Sequence, residues 1–170
     1  AGPPGVGVAI SANDMTGWLL TQLGQGRIPG TDRTLFSEKN ARGMWTPVTL
    51  IPVNPLPAEF KATQPNFSTY ALGWTVQDYR GAKIVWHGGA VFGSLAAVAL
   101  LPDRDVGLYI AVNSEEGEMV RGLLYELLDA SDFYVSPVRR EDRSRMNVPF
   151  KLRDPALDGA FLEGAQQRGM

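Results

Sequence analysis

The sequence predicts an α+β fold in which an antiparallel sheet is flanked by helices. Three observations carry this. Between Tyr70 and Asn113 short apolar runs are separated by turn signals at Arg80-Gly81 and at "PDRD" (102–105), the pattern of strands joined by tight turns. A helix-period stripe of Met119, Val120, Leu123, Leu124, Leu127 and Leu128 follows directly. A capped amphipathic helix stands near the start, ahead of the strands.

The opening "AGPPGVGVAIS" carries no charged n-region and no long apolar core, so it reads as neither a signal peptide nor a membrane span. Pro3-Pro4-Gly5 reads as a loop, and the chain enters its first helix so soon that it is expected to be cut from something longer. Ser11 is placed as N-cap with Asp14 three residues on, and Met15, Trp18, Leu19 and Leu23 recur on one face until Gly24 and Gly26 end the helix. From Arg27 to Ser68 the chain is broken by Pro29, Pro47, Pro52, Pro55, Pro57 and Pro65, with one helical candidate from Ser37 to Trp45 behind a serine cap. A connection this long reads equally as a cleft wall or as scaffolding. Trp45 and Phe67 could line such a cleft, although core filling is the commoner role for aromatics.

Tyr70, Leu72, Trp74 and Val76 alternate as one strand, and Lys83 to His87 forms its return strand after the Arg80-Gly81 turn. "SLAAVALL" (94–101) and "VGLYIAVN" (106–113) follow; the first is apolar on both faces and demands cover on both. Ser114 is expected to cap the last helix, with Glu115, Glu116 and Glu118 near its first turn. Residues 1–130 are thus read as the structured portion. Residues 131–170, polar and carrying "RREDRSR", are read as a connector or tail.

Composition narrows the function classes. A chain of 170 residues with 44% hydrophobic content can bury one ordinary core, and 16 basic against 18 acidic residues leave no polybasic face for nucleic acid or a membrane surface. Cysteine is absent, which removes disulfides, thiolate catalysis and Cys-ligated zinc from this chain, and its one histidine cannot form a His-rich metal site.

That histidine, His87, sits in "VWHGGAVFG" (85–93), at the mouth of a glycine cluster. A lone histidine at a strand end is more often structural than catalytic, and Gly88-Gly89 could mark a bulge or a close backbone approach. Its company adds information. The run "YALGWTVQDYRGAKIVWHGGAVFGSLAAVALLPDRDVGLYIAVNSE", preceded by "SANDMTGWLL" and "MWTP", resembles the C-terminal half of the serine beta-lactamase-like hydrolases over about residues 5–130. That family includes class C beta-lactamases, penicillin-binding DD-peptidases, D-aminopeptidases and family VIII esterases.

The resemblance implies the C-terminal part of a beta-lactamase/transpeptidase-like fold that needs an N-terminal piece for completion. It implies a strand bearing a Lys-Thr-Gly or His-x-Gly triplet, here His87-Gly88-Gly89, as one wall of an active site. His87 would supply a polar or cationic group beside substrate and general base. The N–H of Ala90 would help to stabilise the oxyanion, a donor of a kind that contributes about 2.7–4 kcal/mol. Gly88 and Gly89 would let a substrate backbone lie close. No metal or organic cofactor is implied. Exported relatives slightly favour a periplasmic or secreted location.

The family's Ser-x-x-Lys nucleophile does not occur in this sequence, and Tyr134-Val135-Ser136 resembles its Tyr-x-Asn element in letters only, lying on the wrong side of the triplet. The expectation is therefore a serine hydrolase acting by acyl-enzyme chemistry on a peptide, ester or amide, D-amino-acid peptides and beta-lactams included. Its nucleophile would lie on an N-terminal segment, as a separate chain or a cleaved piece. The histidine in the triplet ranks beta-lactams last among substrates. The last predicted strand, Val106 to Asn113, should then present an unpaired edge. The alternatives are a non-catalytic beta-lactamase-like binding or regulatory module, and a plain interaction domain in which His87 is structural.

Overall fold

The computed structural model describes residues 10–134. The loop expected at Pro3-Pro4-Gly5, Val135-Ser136 and the tail from residue 135 onward lie outside the described residues.

The chain builds one six-stranded antiparallel sheet in simple sequence order. Its strands are β1 (Thr49–Ile51), β2 (Ser68–Tyr70), β3 (Thr75–Tyr79), β4 (Ala82–Val91), β5 (Ser94–Leu101) and β6 (Val106–Val112). Helices α1 (Ala12–Leu23) and α2 (Glu38–Met44) precede the strands, and α3 (Gly117–Tyr134) follows the last. A long segment with a 3-10 helix at Ala58–Thr63 joins β1 to β2, whereas β3 and β4 are joined by a tight turn in which Arg80 and Gly81 both adopt positive φ, at 47° and 77°.

Strand side chains alternate between the two faces of the sheet, and each face carries a buried cluster. Val76, Val85 and Leu100 meet Leu19 of α1, Trp45 and Trp74 on one face. Ile84, Ala99, Leu101 and Ile110 meet Val120, Leu124 and Leu128 of α3 on the other. Burying an aliphatic side chain of this size contributes about 1.5–3 kcal/mol, so these two clusters hold the sheet between its helices. α1 lies so close to β6 at Gly107 that an added Cβ would come within 3.3 Å of Leu19 Cβ and Leu100 Cδ2. A glycine there sets the helix-to-sheet distance.

The caps follow the sequence. The Ser11 and Ser37 hydroxyls accept the N–H groups of Asp14 and Asn40 at 3.1 and 3.2 Å, satisfying donors that a helix start leaves free. Trp18 stacks on Trp74 with ring centroids 5.6 Å apart, which docks α1 on the β2–β3 turn.

Four expectations are corrected. The alternation from Tyr70 to Val76 is not one strand: β2 ends at Tyr70, residues 71–74 turn with Gly73 at φ 79°, and β3 starts at Thr75. The proline-rich segment contains a short strand, β1, paired with β2 through Leu50↔Thr69. Ser114 accepts the Glu116 N–H at 3.2 Å, yet the helix itself begins at Gly117 and runs through Tyr134, past residue 130. Met119 and Leu123, assigned to the buried stripe, are 47% and 42% exposed. Among the described residues, β6 stands at one edge of the sheet and β1 at the other.

Candidate active-site wall

Strand β4 is longer than its neighbour on one side. β3 pairs with it only from Tyr79↔Ala82 to Thr75↔Trp86, whereas β5 accompanies it on to Val91↔Ser94. Residues 87–91 therefore overhang, paired with β5 alone and leaving the opposite edge of the strand unpaired by β3. Burial changes at the same point: Ala82, Ile84 and Val85 are buried, while His87 through Val91 are exposed.

The direction of each backbone group follows from the turns. The two-residue turn Phe92-Gly93 makes Val91–Ser94 a hydrogen-bonded pair, and antiparallel alternation then turns the N–H groups of Val91, Gly89 and His87 toward β5. The N–H and C=O groups of Gly88 and Ala90 face the free edge. Counting from the Arg80-Gly81 turn gives the same parity, because Ala82, Ile84 and Trp86 then bond β3.

Side chains alternate between faces along the overhang. His87, Gly89 and Val91 continue the α1 face that begins with Val85, while Trp86, Gly88 and Ala90 lie on the α3 face. An added Cβ at Gly89 would meet nothing within 4 Å, so neither space nor a positive φ within this chain requires glycine there. Glycine weakens a strand. Its presence at an uncrowded position leaves room for something that approaches from outside the chain.

The His87 ring is exposed and has one hydrogen-bond partner among the described residues, the Tyr70 hydroxyl, with Nε2 to Oη at 3.4 Å. The rings are tilted by 55° with centroids 6.5 Å apart. Ahead of the overhang, the β4–β5 turn is tied down by Glu115, whose Oε1 accepts the Gly93 N–H at 2.9 Å.

Behind the overhang, a groove of about 480 Å³ separates β4 from α3, lined by Trp86, Gly88, Ala90, Val120, Arg121 and Tyr125. It opens on the face opposite His87. The Trp86 Nε1 is buried without a hydrogen-bond partner among the described residues.

Two groups with shifted acidity lie away from the overhang. Burial, then the hydrogen bond to Asp129 at 2.7 Å, pushes the Tyr79 hydroxyl up to about 12. Burial would raise the Asp78 carboxyl, but hydrogen bonds from the Asn66 side chain and the Phe67 and Asn66 N–H groups outweigh it and hold the group below its ordinary value. Asp78 ties the approach to β2 to the end of β3, and Tyr79 ties that end to Asp129 of α3. Among the described residues no His, Cys, Asp and Glu groups cluster as a metal site, and no helix is long and apolar enough to cross a membrane.

The structure thus brings His87, Gly88, Gly89 and Ala90 together as one exposed strand segment. Trp45 is core, 7% exposed, and Phe67 is 46% exposed. The sequence pattern marks Tyr70 only as a strand residue. It is 17 residues from His87, two strands away in the sheet, a separation that leaves no periodic trace in sequence.

A meandering antiparallel sheet between helices, with a free-edged strand at one end, defines an α+β domain of the beta-lactamase and penicillin-binding-protein type. The sequence pattern of the Beta-lactamase family matches residues 1–131, and the chain belongs to that family. Among solved structures the chain is similar to the octameric penicillin-binding protein homologue from Pyrococcus abyssi. The TM-score is 0.52 and the identity 19%, covering 70% of this chain and 24% of that one. The curated relatives it resembles are of another kind. Phosphoserine aminotransferase from Nitrosomonas europaea is 60% identical over 48 residues, 28% of this chain and 13% of that protein. The enzyme of that name from Stutzerimonas stutzeri is 46% identical over 61 residues, 36% of this chain and 17% of that protein. The chain therefore spans less than a fifth of the curated relatives it matches.

Proposed function

We propose that this chain forms one wall of a serine hydrolase active site that works by acyl-enzyme chemistry on a peptide, ester or amide. The serine and its activating lysine would come from a segment N-terminal to this chain. The observation that carries the reading is the overhang of β4, where Gly88 and Ala90 turn backbone N–H groups to an edge that β3 leaves free. A tetrahedral oxyanion placed against that edge would accept the Ala90 N–H, a donor already fixed by the β5 ladder and so costing no reorganisation when charge develops. His87 stands on the same strand and supplies a hydrogen-bonding or cationic group beside the acyl centre. Gly89 keeps the surface between them clear. Membership of the Beta-lactamase family supports the hydrolase class. The likeness to phosphoserine aminotransferases spans 13% to 17% of those proteins.

The test is intact-mass spectrometry of the full protein that carries this chain, before and after a fluorophosphonate probe. Addition of one probe mass, mapped to a serine outside these 170 residues, is the expected result. An unlabelled full protein contradicts the reading and leaves a non-catalytic wall.

A further inference from the structure

We propose that Tyr70 is the positioning residue for His87, fixing which imidazole nitrogen faces the substrate. The inference rests on the hydrolase reading of the wall but is carried by a separate feature, the way β3 stops. Tyr70 pairs with Thr75 at the end of β3, and Thr75 pairs with Trp86 on β4, so Tyr70 and Trp86 share one row across the sheet. His87 is the next residue along β4 and the first without a β3 partner. Its side chain would otherwise be free to sample its rotamers over the gap.

The phenol of Tyr70 closes over that gap from two strands away, its Oη 3.4 Å from His87 Nε2. Tyr70 is itself 38% exposed, and an aromatic ring left that open is not held there for burial. What it meets is the imidazole. A phenol hydroxyl is both donor and acceptor. It can donate to Nε2 or accept from Nε2–H; a phenol donates more strongly than it accepts, so the neutral ring favours the tautomer with its proton on Nδ1, while the cationic ring donates Nε2–H to the phenol oxygen. In both states Nε2 is engaged, and Nδ1–H is the group left for a substrate oxygen. Lys83 and Trp45 occupy the same face further back, where the Lys83 ammonium sits 5.9 Å from the Trp45 centroid.

His87 is the one histidine in this sequence, so its imidazole nitrogens can be observed without overlap from this chain. In the full protein, labelled with ¹⁵N-histidine and with the His87→Gln spectrum subtracted, the neutral wild-type ring should show one dominant tautomer protonated at Nδ1. Tyr70→Phe should convert it to a mixture and lower kcat/KM by about threefold to tenfold, the range expected for one lost hydrogen bond. In a His87→Ala background the same substitution should cost nothing further. An unchanged tautomer in folded Tyr70→Phe protein overturns the assignment, as does an equal loss in the His87→Ala background. The two ideas fail separately: loss of probe labelling would remove the hydrolase reading, while the nitrogen spectrum judges the Tyr70–His87 pair whether or not the protein turns over.

Discussion

The two halves of β4 obey different rules although they are one strand. From Ala82 to Trp86 it is paired with β3, joined by β5 from Val85, and its Ala82, Ile84 and Val85 side chains are buried in the two clusters packed against α1 and α3. From His87 to Val91 it is paired on one side, exposed, and built from the histidine, two glycines, an alanine and a valine. A sheet that only needed to be stable would not continue a strand past its neighbour with two consecutive glycines, because each weakens the strand and the added edge invites mispairing. The first half holds the fold, and the second half is presented by it.

The comparison predicts that stability and activity separate along the strand. The largest stability effect should come from the cluster under the buried half. Leu128→Ala removes a side chain 1% exposed in the α3 contact and should cost about 2–5 kcal/mol in urea unfolding. The converse substitution is Gly89→Val. Its Cβ meets nothing within 4 Å, so the folded chain should tolerate it or gain up to about 1 kcal/mol from strand preference. The same valine would occupy the open surface beside His87, and labelling of the full protein by a fluorophosphonate should slow by about a hundredfold, roughly 2.7 kcal/mol of transition-state stabilisation. Equal losses of stability from both substitutions would erase the distinction between the halves.

A smaller effect belongs to the turn that starts β4. The Tyr79 hydroxyl is raised to about 12 in the folded chain by burial and by its bond to Asp129, against an ordinary value of 10.0. The protonated form is thus favoured by folding. Its contribution is complete below pH 10 and is lost as pH rises toward 12. Thermal unfolding followed across that window should show an alkaline loss of stability that is reduced in Tyr79→Phe, with no corresponding change in the environment of His87.

Much of the fold was legible in the sequence because it depends on short-range rules. Ser11 and Ser37 announce caps, Arg80-Gly81 announces a turn, and the stripe through Val120, Leu124 and Leu128 announces a helix that covers a sheet. What escaped depends on contacts distant in sequence. Alternation through Tyr70, Leu72, Trp74 and Val76 imitates one strand, and only the pairing of β2 with β3 shows that Gly73 turns the chain midway. β1 is three residues long with all of them exposed, so no burial pattern marks it. Met119 and Leu123 share the helical period of the core stripe, yet one helix covers a limited width of sheet and leaves them at its flank. The glycine cluster around His87 was visible as a departure from strand composition. Its partner Tyr70 was not, because the geometry that joins them is the early end of β3.

Amide hydrogen exchange along the overhang tests the central claim most directly. The N–H groups of Gly88 and Ala90 face the free edge and those of Gly89 and Val91 face β5, so protection should alternate residue by residue. The account predicts Gly89 and Val91 exchanging at least about tenfold more slowly than Gly88 and Ala90. Uniform protection across all four, or the reverse alternation with Ala90 protected, would contradict an available donor at this wall.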